Sequence, residues 1–233
     1  MPRVKLSTVS LYYEIHGNGH PVLLIAGLNS DNASWAGVCG RLAKHFRVIA
    51  LDNRGSGRSN TPTMGGYIAQ ELAINYPERV GKLVLEATAP ISSSRNNILF
   101  NDLLKRFEND RDNEALMRQW TYWSFSPGTF KRKNYIETFI KNASTYSYLQ
   151  SALGFKGQVE AIASFDACAK IKNIKAKTLV IIGSDDILIY PEESMKLVKG
   201  IKGSIFKEIK NAGHCVHVEN PDAFVPRVIK FLK

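Results

Sequence analysis

His214 and His217 lie three residues apart in "NAGHCVHVENP" (Asn211–Pro221). An imidazole ionises near neutral pH, so a histidine in such a loop can take a proton from a hydroxyl or water and return it. With Cys215 between them the pair is also compact enough to suggest a metal. It lacks the spacing of a zinc site and a second ligand pair, so no metal is expected. Two carboxylates, Asp185 and Asp186, follow the apolar run "TLVIIG" (Thr178–Gly183). A third feature is "SNTPTMGGYIAQELAINYPERV" (Ser59–Val80), in which the Thr63 hydroxyl stands just ahead of Met64-Gly65-Gly66 and a helical pattern. Each has a plain structural reading as well: a surface loop for the histidines, a turn or helix cap for the aspartates and for Thr63.

The elements that must hold these residues alternate along the chain. Val4–His16 alternates and reads as an opening hairpin, with Gly17-Asn18-Gly19 as a turn signal. Residues 21–26, 47–51, 82–86, 178–183 and 204–209 are short apolar runs of the kind buried on both faces of a parallel sheet. Between them, residues 34–45, 65–76, 191–198 and 222–232 read as helices, and Pro77 stops the second. Strands alternating with helices predict an α/β fold with a mostly parallel sheet and helices on both faces. From Ala87 to Ile174 the alternation fails. That stretch carries Trp120, Trp123 and Phe125, with helical patterns over 98–118 and 135–146. The expected division is a core of residues 1–87 and 175–233 with a helical cap insertion at 88–174.

With 233 residues, 44% of them hydrophobic and 22% charged, the chain can build one sizeable core. No apolar run approaches the roughly 20 residues of a membrane helix. The first residues lack the apolar stretch of a leader, and three widely spaced cysteines suggest free thiols. A cytoplasmic protein without membrane attachment is therefore expected. The formal net charge is +10, but the basic residues are scattered and mixed with acids. Nucleic acid is not expected as a partner, and the sequence is silent on oligomeric state.

Four further stretches accompany the Met-Gly-Gly helix in a fixed order: "LLIAGLNSDNASW" (Leu23–Trp35), "LDNRGSGRSNTP" (Leu51–Pro62), "GSDDILIYPEES" (Gly183–Ser194) and "NAGHCVHVENPDAF" (Asn211–Phe224). Together they closely resemble the α/β-hydrolase superfamily, in particular small ester, lactone and carbon–carbon bond hydrolases such as the 3-oxoadipate enol-lactonase group. The resemblance covers nearly the whole chain and is weakest in the insertion. It implies a cofactor-free hydrolase acting on a small ester or lactone. His214 then falls at the general base and Asp186 at the acid that orients it, with Asp185 as the alternative. The backbone N–H groups of Leu28 and Met64 fall at the oxyanion donors. Trp120, Trp123 and Phe125 would line the substrate pocket.

One element of the resemblance is missing. The family places its serine in G-x-S-x-G, on a turn between a strand and a helix. No serine here has glycine at both minus two and plus two, and the nucleophile position falls on Thr63. In relatives the "DNRGxGxS" motif precedes a helix, the central strand and then the serine, a unit of roughly 30 residues. Here Arg58–Thr63 runs straight into Met64-Gly65-Gly66. The sheet is thus expected to be one central strand short. The strand at 82–86 is expected to pair where the lost one stood and close the sheet. Activity would then rest on Thr63, on Ser59, or on water and His214 alone. The alternative is an inactive deletion form or a binding scaffold.

Overall fold

The computed structural model describes residues 2–6, 9–59, 65–109 and 112–233. Thr63 and Met64 lie outside the described residues, so the expected nucleophile position and second oxyanion donor have no structural account. The opening hairpin forms as expected, β1 (Arg3–Leu6) antiparallel to β2 (Val9–His16). β2 pairs antiparallel with β4 (Arg47–Leu51), and β4 pairs in parallel with β3 (Pro21–Ile25). A second sheet holds β5 (Lys82–Glu86), β6 (Lys177–Gly183) and β7 (Ile205–Ile209), all parallel.

The expected closure between these sheets does not form. Their orders are β1-β2-β4-β3 and β5-β6-β7, and among the described residues β3 and β5 each have a strand partner on one edge only. The reason lies in what each half-sheet is packed against. The inward residues of β3, β4 and β6 (Leu24, Val48, Ala50, Leu179, Ile181) share one core with α1 (Ala36–Leu42) and α10 (Pro221–Leu232). The opposite side of β5 and β6 (Leu83, Leu85, Val180) packs with Ala73 of α2 (Gly65–Asn75) and Leu197 of α8 (Pro191–Gly200). Moving β5 across to β3 would break up these contacts.

The helical segment is built from α3 (Ser94–Asn109), α4 (Asn113–Ser124), α5 (Pro127–Phe130), α6 (Tyr135–Ser144) and α7 (Ala152–Ser164). The single helical stretch expected over 98–118 is two helices. Asp112 caps the second, its carboxylate accepting from the Ala115 N–H, and an N-cap starts a new helix rather than continuing one. Phe100, Leu103, Phe155 and Val159 pack down on Leu28, Tyr67 and Leu188 at the strand ends.

Glu219, in α9 (Val216–Glu219), fastens this helical segment to the sheet. Its buried carboxylate accepts from the Gly213 N–H at 2.6 Å, the Ser126 N–H at 2.8 Å, and the Ser126 and Thr129 hydroxyls at 2.7 Å each. Glu219→Ala leaves these donors buried and unpaired. It is expected to cost about 2–4 kcal/mol in urea unfolding, and Glu219→Gln less.

Candidate active site

β6 ends at Gly183, where any side chain would run into the carbonyls of Ala212 and Gly213. That close approach brings the loop after β7 across the end of β6. Backbone bonds fix the crossing, Ser184 N–H to Ile209 O at 3.0 Å and Asp185 N–H to Ala212 O at 2.9 Å. The two loops therefore present their side chains to each other.

Asp186 is fully buried. One carboxylate oxygen accepts from the Leu188 and Ile189 N–H groups, each at 2.9 Å. The other lies 3.0 Å from Nδ1 of His214. The backbone thus orients the carboxylate, and the carboxylate orients the imidazole. Asp185 is spent elsewhere, accepting from the Ser184 hydroxyl at 2.8 Å. Burial pushes the His214 pKa down, but the Asp186 charge and hydrogen bond outweigh it, helped by Glu86 and Glu219, and the net direction is up. The ring keeps 25% of its side-chain surface and borders the large cavity, so its Nε2 side is reachable.

That cavity, of about 1790 Å³, lies between β3 and β5 and opens beneath the helical segment. Leu28, Trp120 and Phe125 line it. The Leu28 N–H has no partner among the described residues and is available to a ligand oxygen. Trp123 is not on the wall: it packs beside the guanidinium of Arg95, 5.1 Å from its ring centre, where cation and ring attract each other. Ser59 is excluded as a nucleophile by its bonds. Its hydroxyl donates to the Asp52 carbonyl and accepts from the Tyr12 N–H, both at 2.8 Å, and it lies away from the cavity.

His217, expected to be an ordinary loop histidine, holds a second buried pair on the same cavity. Its N–H and Nδ1 both lie 2.9 Å from the Glu86 carboxylate, and Trp35 stacks on the ring at 4.3 Å. Nε2 of His217 and Nε1 of Trp35 are buried without a partner among the described residues. The sequence signal was the Glu at the end of an apolar strand, a costly place for a charge without a partner. Among the described residues no three His, Cys, Asp or Glu side chains could hold a metal together. No helix among them is long and apolar enough to cross a membrane.

Fold and site together define a hydrolase-type α/β architecture with a histidine–carboxylate pair at the strand ends. Residues 64–221 match the family model described as alpha/beta hydrolase fold, and the chain belongs to that family. It is 24% identical to a putative carbamate hydrolase RutD of Agrobacterium fabrum, covering 95% of this chain and 98% of the relative. It is likewise 24% identical to a pimeloyl-[acyl-carrier protein] methyl ester esterase of Nitrosospira multiformis, over 98% and 100%. The RutD alignment runs over 257 residues against the 233 of this chain, so the relative has positions without a counterpart here. Among solved structures, the enol-lactonase of Burkholderia xenovorans LB400 superposes with a TM-score of 0.88 at 24% identity, covering 99% of each chain. The thermophilic esterase of Thermogutta terrifontis gives 0.86 at 22% identity, covering 100% of this chain and 98% of that one.

The geometry predicts the sign of the His214 titration. A pKa raised in the folded state means that the protonated pair stabilises the fold fully below the unfolded value of about 6.5. That contribution is lost as pH rises through the higher folded value. In an NMR titration His214 should therefore titrate above an ordinary histidine. In Asp186→Asn only Glu86 and Glu219 still oppose burial, and it should titrate lower than in the parent chain.

Proposed function

We propose that the chain is a hydrolase of small carboxylic esters or lactones, with His214 as general base and Asp186 as the group that orients it. The observation that carries this reading is the 3.0 Å contact between His214 Nδ1 and a buried, backbone-held Asp186 on the wall of a large cavity. The relatives add support, since their names include a methyl ester esterase and an enol-lactonase.

Among the described residues no hydroxyl or thiol is hydrogen-bonded to His214. The attacking group in this reading is water. His214 takes a proton from the water as its oxygen adds to the ester carbonyl. The Leu28 N–H donates to the resulting oxyanion. Collapse of the tetrahedral intermediate breaks the bond to the leaving alkoxide, and His214 returns the proton to that oxygen. Trp120 and Phe125 form the apolar wall against the acyl or leaving group, and α3–α7 act as the cap. Without a covalent intermediate the difficult step is not divided, so turnover is slow.

A second reading, a non-catalytic scaffold, is favoured by the unpaired strand position described below. Hydrolysis of p-nitrophenyl acetate separates the two. The expected result is slow turnover that rises with pH as His214 loses its proton and falls by about a hundredfold or more in His214→Gln. A rate indifferent to His214→Gln would favour the scaffold. Stoichiometric attachment of a fluorophosphonate to Thr63 would replace water with a threonine nucleophile.

A further inference from the structure

Among the described residues no strand lies between β3 and β5, and the large cavity lies there instead. β3, among the described residues, hydrogen-bonds only to β4 on its ladder, and β5 only to β6. Both strands run toward the same end of the molecule. Trp35, at the end of the short 3-10 turn Asn32–Trp35 that follows β3, stacks on His217, and His217 is bound to Glu86, the last residue of β5. α2 packs against both strands from one face. On the other face Leu42, Phe224 and Val228, from α1 and α10, reach the same cavity. The space is therefore a slot in the plane of the sheet, roofed and floored by helices. Leu23, in the middle of β3, is 46% exposed to it.

An occupant must meet three demands. Among the described residues the N–H and C=O groups on the facing edges have no partner; an acyl chain would leave them so, and a polypeptide strand would satisfy them. Its alternate side chains would meet apolar cores on both faces, those around Leu42 and Phe224 and those around Ala73 and Leu85, so both sets must be apolar. The end where β3 and β5 begin is lined by exposed Arg79, Lys175, Lys177 and Lys233, which favour acidic groups there.

We propose that this slot is a peptide-binding site. It takes an extended segment of another polypeptide, as long as the five-residue strands β3 and β5 and parallel to both. The segment is β-branched and apolar on both faces and is preceded by acidic residues. Binding is strand addition, made on two edges at once.

The test uses the full chain and a blocked synthetic peptide of two aspartates, five alternating valines and isoleucines, and a closing glycine. One control carries N-methyl groups on alternate residues, which keeps the apolar surface and removes the donors facing one of the two edges. A second replaces the aspartates with lysines. The parent peptide should bind at least about tenfold more tightly than either control in calorimetric titration. It should also slow hydrogen exchange at residues 21–25 and 82–86. Equal binding of the N-methylated peptide would show filling of an apolar cavity without strand pairing and overturn the proposal. So would no binding, or a dimer of the chain that persists with peptide in excess.

Discussion

A parallel sheet is held together by its hydrogen-bond ladder, and in this molecule the ladder stops between β3 and β5. The two halves are instead joined by side chains. Leu24, Val48 and Ala50 from one half-sheet and Leu179 and Ile181 from the other meet in a single core with α1 and α10. The Trp35–His217–Glu86 stack ties the strand ends across the opening. Dispersion and burial hold the halves in place, while the polar edges they leave are unpaid for, and the cavity follows from that imbalance.

This constraint divides the candidate site. His214 and Asp186 both hang from the β5-β6-β7 half, fixed by the close approach at Gly183 and the carboxylate of Glu219. Their geometry does not depend on what happens at the opening. Leu28 follows β3 and belongs to the other half. The distance from the base to the oxyanion donor is therefore set by the width of the opening. A shift of about 1 Å in such a distance can cost roughly a hundredfold in rate. Filling the slot would fix that distance as well as the sheet.

Much of this was legible in the residues. The apolar runs located β3 to β7 within a residue or two, although only β6 is buried on both faces, and alternation marked the β1–β2 hairpin without dividing it. Asp186 and His214 were named through the family motifs that hold them, and the parallel strands β6 and β7 bring the ends of those motifs together. The break at Asp112 was hidden because a periodic apolar pattern continues across it, and only the cap geometry marks a new start. Trp123 was misplaced since an aromatic in a cap can face the cavity or a neighbouring guanidinium, and spacing does not choose. His217 was missed because its partner, Glu86, is 131 residues away. The open edge was the hardest to foresee. The lack of a G-x-S-x-G motif is visible in the sequence, but whether the sheet closes depends on packing on both faces, which periodicity does not encode.

The central claim is that β3 and β5 stand apart with a strand's width between them, at about twice the 4.8 Å spacing of paired strands. Amide and α-proton NOEs between residues 21–25 and 82–86 measure this in the free chain. The account predicts none of the inter-strand NOEs of a parallel ladder there, alongside full ladders for β3 with β4 and β5 with β6. A continuous set between β3 and β5 would mean that the sheet has closed and would contradict it.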